Sequence, residues 1–244
     1  MSGFIGSGDI YAERFVNGVS EGLLALGNAT KIEIKENSEV KTRKSKLRAS
    51  YGAALDTVVI KQPADVSLTL DDLDKDNLAM IFMGTVSDSS TTATTVTDEA
   101  HTVAKLDTMI ALANGNVSTV TITGFVEGTD FEVVNAEAGF VKILSGGTVV
   151  AGDALAVSYS AGGTSGDLIT GGVVPDVKMK LIMLGVNLVD QSSVRLEIPK
   201  ATLTPQNGVD FLSEDFSTLE LSGIATVPEG GTSAYKVEVN RKSL

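Results

Sequence analysis

Apolar and polar positions alternate with a period of two over much of this chain, most plainly in Lys31-Ile32-Glu33-Ile34-Lys35-Glu36 and in Val66-Ser67-Leu68-Thr69-Leu70. Successive side chains on a strand point to opposite faces, so each run predicts a strand with one apolar face and one wet face. Three blocks, Lys31–Ile60, Val66–Gly84 and Leu181–Leu221, share this plain chemistry of strands, turns and one short acid-capped helix. The partner predicted for the first run is Leu55–Lys61. Between the two, Glu39–Ala54 is polar, and a link of about 17 residues far exceeds the usual hairpin turn, so it reads as a long functional loop. Asp71-Asp72-Leu73-Asp74-Lys75-Asp76-Asn77 opens a helix over 72–83. Asp71 or Asp72 is expected to cap it, and Gly84 to take the left-handed position after its end.

Residues 1–30 stay open between a helical turn and a strand pair. Phe15, Val16, Val19, Leu23 and Leu24 have helical spacing, while Gly18 and Gly22 weaken a helix. Residues 85–100 are rich in Ser, Thr and Asp and predict a linker or mobile loop. Strands are then expected near His101–Leu106, Val117–Thr123, Phe131–Asn135, Phe140–Ile143 and Ala154–Tyr159, a flexible stretch over Gly162–Gly172, and further strands over Val177–Met183, Val194–Leu203, Leu219–Thr226 and Ala234–Asn240, before a basic tail, Arg241-Lys242. The expectation is a mainly β fold, a sandwich or barrel flanked by one short helix and carrying a long hairpin loop. Its divisions are 1–30 as an N-terminal arm and first strand region, 31–84 as the first half of the core, 85–175 as a β-rich insertion or elaboration, and 176–244 as the second half with a C-terminal arm.

Composition narrows the function classes. The chain has 244 residues, no Trp and no Cys, so its core rests on aliphatic packing without disulfides or thiolate metal sites. A net charge of −12 opposes phosphate binding, which argues against a DNA-binding protein. The first residues lack a basic and an apolar signal region, and no run approaches the roughly 18 apolar residues of a membrane span, so a soluble protein with no membrane anchor is expected.

Candidate chemistry is sparse. Asp72-Leu73-Asp74-Lys75-Asp76 spells half of a calcium loop, yet Asn77 and Met83 stand where such a loop needs Gly and Glu. The only histidine, His101, has no partners at metal-ligand or triad spacing. The glycine-rich stretches Gly6-Ser7-Gly8 and Gly162–Gly166 complete neither a phosphate loop nor a nucleophile elbow. No catalytic, cofactor or metal site is expected.

The strongest charge feature is Lys41, Arg43, Lys44, Lys46 and Arg48, five cations with no acid among them in a strongly acidic chain. Read plainly, it is a solvated loop. Read as an interaction element, it finds the acidic face of another copy, and such heterologous contacts close into rings or run on into filaments. The contrasting hypothesis is an adhesive or carbohydrate-binding β module, which the lack of tryptophan platforms disfavours.

Ser38–Lys46, Tyr51–Val58 and Pro63 through Ala79 resemble the N-terminal half of major tail tube proteins of long-tailed bacteriophages. Gly128–Val133, Gly139-Phe140-Val141, Gly146-Gly147 and Gly152–Tyr159 are similar to their middle part, and Leu184–Asn187 with Asp215–Gly223 to their C-terminal half. The resemblance covers nearly the whole chain as ordered blocks without one diagnostic motif. It implies a structural virion subunit, made in the host cytoplasm and built into the tail, with six copies per ring and rings stacked into a hollow conduit. Loop 39–54, with its five cations, would be the stacking loop. Tape-measure, tail-terminator and baseplate proteins would be partners, and DNA would transit without specific binding through a negatively charged lumen. Glu33 and Glu36 are candidates to face that lumen.

Overall fold

The computed structural model describes residues 3–240, so the basic tail Arg241-Lys242 lies outside the described residues. The fold is mainly β, built from antiparallel sheets with one short helix among the described residues. Ser87–Leu168 forms one compact unit, and the described chain before and after it forms another.

In the larger unit, β1 (Gly6–Val16) and β2 (Val19–Ala25) form a hairpin. Asn17 and Gly18 have φ of 50° and 81°, the paired positive values of a type I′ turn, whose twist suits two strands. Next come β3 (Ala29–Lys44), β4 (Ala54–Leu70), α1 (Lys75–Ile81) and β5 (Thr85–Asp88). After the smaller unit and β12, defined below, follow β13 (Val177–Asn187), β14 (Ser193–Pro205), β15 (Leu219–Ala225) and β16 (Lys236–Asn240). The sheet order is β2-β1-β13-β14-β15-β4-β3, with β16 beside the N-terminal part of β14; it is not closed into a barrel among the described residues.

Alternation supplies the core. Val66, Leu68 and Leu70 of β4, Val177, Met179 and Leu181 of β13, Ile198 and Leu203 of β14, and Leu219 and Leu221 of β15 are all buried. Each such side chain contributes about 1.5–3 kcal/mol by leaving water. Helix α1 lays Ala79, Met80 and Ile81 inward. It is shorter than the expected 72–83. Its cap is Asp74, not Asp71 or Asp72: the Asp74 carboxylate accepts from Asn77 N at 2.8 Å. Asn77 Nδ2 donates to the carbonyls of Leu26 and Asp72, which fixes the helix start to the chain entering β3. Met83, with φ 45°, takes the left-handed position assigned from sequence to Gly84. Gly84 is needed for another reason, since a Cβ there would collide with the Thr170 carbonyl.

The smaller unit contains β6 (Thr94–Thr102), β7 (Met109–Ala111), β8 (Val117–Ile122), β9 (Phe131–Asn135), β10 (Phe140–Ile143) and β11 (Ala154–Ala161). Its sheets, β7-β10-β9 and β6-β11-β8, share a core of residues such as Val141, Ile143, Val157, Phe131 and Tyr159, a small sandwich. Residues 85–100 and 162–172 are not continuous loops. They hold β5, most of β6 and β12 (Asp167–Thr170), and β5 pairs with β12 as a two-stranded ribbon.

Candidate assembly surface

The long loop expected over 39–54 is largely a ladder. Strands β3 and β4 stay paired from Ala29↔Leu70 out to Lys44↔Ala54, leaving only residues 45–53 as the connection. Lys41, Arg43 and Lys44 therefore sit on β3, while Lys46 and Arg48 belong to the tip. The sequence shows no apolar alternation there because neither face is packed, and periodicity reports burial before it reports strand. Ser45 orders the tip. Its N–H donates to Ala53 O at 2.7 Å, its carbonyl accepts from Gly52 N, and its hydroxyl lies 2.7 Å from that of Ser50.

Cross-strand partners share a face, so register sorts the side chains of this arm. Glu39 with Ile60, Lys41 with Val58 and Arg43 with Asp56 form a mixed, charged face. Val40 with Val59 and Thr42 with Thr57 form the other, which Lys44 with Ala54 continues toward the tip past a register shift. The second face carries no charge over Val40, Thr42, Thr57 and Val59. Val40 is 59% exposed and Val59 64%, so none of the described residues covers it. These valines were missed by a reading that followed the cations; the run Val58-Val59-Ile60 was their signal.

The five cations do not form one bare cluster. Arg43 grips Asp56 through Nη2 at 2.6 Å and Nε at 2.7 Å, and Lys41 lies 3.6 Å from Glu39. Lys46 stands 5.6 Å over the Tyr51 ring, a cation–π contact at the tip. Lys44 and Arg48 form no ion pair among the described residues. Over 38–61 the arm bears six cations against two acids.

Glu33 and Glu36 are not brought together. Glu33 shares its side of β3 with Lys31 and Lys35, and a 2.6 Å pair to Lys31 holds its carboxyl below the usual range. Glu36 accepts from the Tyr235 hydroxyl at 2.7 Å, which raises that phenol, and lies 3.8 Å from Lys61.

His101 joins a polar network inside the smaller unit. Its Nε2 lies 2.7 Å from Glu99, which also accepts from Ala113 N at 3.0 Å and from the Tyr159 hydroxyl; Asn114 Nδ2 donates to that hydroxyl. Burial opposes the charged Glu99, but these donors outweigh it and hold its pKa low; burial and the carboxylate raise Tyr159. Such a satisfied network pins strands. Among the described residues no group of three or more His, Asp or Glu side chains is placed to hold a metal, and no helix is long and apolar enough to cross a membrane.

A family model described as protein of unknown function UCP028589 matches residues 3–227, and the chain belongs to that family. No curated protein matches it.

Proposed function

We propose that this family member is a structural subunit that assembles with copies of itself, stacking through the β3–β4 arm as the tail tube proteins it resembles do. The observation that carries the reading is the amphipathic arm: about two dozen residues, the size of one side of a standard interface, with an apolar face that the described residues leave uncovered. A two-stranded ribbon standing alone is marginal in water, and burial against a neighbour would stabilise it. In this reading the copies form hexameric rings, the rings stack into a conduit in a virion tail, the acidic balance of the chain keeps DNA from adhering, and tape-measure, terminator and baseplate proteins bound the tube. Catalysis has no part in it.

The test replaces Lys41, Arg43, Lys44 and Lys46 with Glu and follows rings and tubes by negative-stain microscopy and sedimentation velocity. Loss of assembly with an unchanged melting curve is expected. Tubes forming at the wild-type rate would refute the role of the arm.

A further inference from the structure

The surface that receives the arm can also be read from the chain. Strand β4 begins at the arm tip, Ala54, and ends at Leu70, where it pairs with Leu219 at the start of β15. At roughly 3.3 Å per residue these two ends lie on the order of 55 Å apart. Residues 206–218, which lead into Leu219, therefore lie at the pole opposite the tip.

That segment is an ordered loop with an unusual surface. Asn207 clamps its base, donating from Nδ2 to Thr218 O at 2.5 Å and accepting from Glu220 N at 2.9 Å. Asp210 accepts from Leu212 N, Ser213 accepts from Asp215 N, and Phe211 stacks on Phe82 at 6.1 Å. Held this way, the loop leaves Leu212 93% and Phe216 100% exposed, next to Asp210, Glu214 and Asp215 and with no cation. Asp71, Asp72, Asp74 and Asp76 follow Leu70 at the same pole. Two large apolar side chains kept in water by a structured loop are a cost in the monomer, and hot spots of interfaces have this form.

We infer that the loop 206–218 of one copy is the seat for the β3–β4 arm of the next, Leu212 and Phe216 meeting the apolar arm face and the acids meeting Lys44, Lys46 and Arg48. The inference rests on the proposed self-assembly. Both partners lie on one chain at opposite poles, so each union leaves a free arm and a free seat, the condition for an open stack.

Two measurements on the full chain test it. First, sedimentation compares the wild type with Leu212→Ser/Phe216→Ser, and with Asp210→Lys/Glu214→Lys/Asp215→Lys alone and combined with the arm reversal. Weakening of about 30-fold or more in the first two and recovery in the combination are expected. Second, because the chain has no cysteine, Ala49→Cys and Glu214→Cys in separate copies should form a mixed disulfide on oxidation. If the wild type assembles and the arm reversal abolishes it, but loop variants assemble normally and no cross-link forms, the seat is overturned while the arm stands. A wild-type chain still monomeric at about 1 mM, weaker than a specific contact, would overturn both.

Discussion

The two halves of the β3–β4 hairpin share one ladder and differ in what lies against it. In the inner half, Val66, Leu68 and Leu70 are buried while Ser67 and Thr69 on the other face are half-exposed, so the monomer accounts for the strand. In the outer half, 38–44 and 54–61, every residue is exposed. Pairing alone does not distinguish them. Cover does, and the outer half keeps an apolar face that no described residue of the chain shields. The comparison separates residues that hold the fold from residues that the fold holds out.

The largest test removes the difference. Joining Ser38 to Lys61 through an Asn-Gly turn deletes the arm; the shortened chain should melt within a few degrees of the wild type and show no self-association in sedimentation. A collapse in stability would mean that the arm is part of the core after all. Next, Leu68→Ala should cost about 2–5 kcal/mol in urea unfolding, whereas Val59→Ser should stay within about 0.5 kcal/mol and instead weaken assembly. The smallest effect concerns Arg43 and Asp56: a double-mutant cycle on the monomer should give a coupling of about 0.2–1 kcal/mol, since both groups are well exposed. A clearly larger value would indicate that the outer half is more rigid than an unsupported ribbon.

Strands with one packed face were legible in the sequence. Lys31–Glu36, Val66–Leu70, Phe131–Asn135 and Phe140–Ile143 all fall within the observed strands. Leu55–Lys61 and Val66–Leu70 read as two strands in the sequence but are one continuous β4, which takes Pro63, unable to donate to a ladder, where the register shifts between Lys35 and Asn37. The N-terminal hairpin was one of two open readings, since apolar residues at helical spacing competed with the strand pair whose turn Asn17-Gly18 supplies. Helix α1 announced itself by its acids, but which aspartate capped it depended on the carbonyls that Asn77 could reach. Of the candidate surface, charge was visible and shape was not. The cations stood out as a run, while the valines opposite them became a face only once the register was known.

One consequence follows from β4 being continuous from Ala54 to Leu70. Tension applied at the tip travels along the backbone of a strand whose inner part lies between β3 and β15. Antiparallel bonds run perpendicular to the strand, so such a pull meets them in shear and loads them side by side instead of peeling them in turn. A filament linked through these tips would carry stretching forces directly into the most buried part of each subunit.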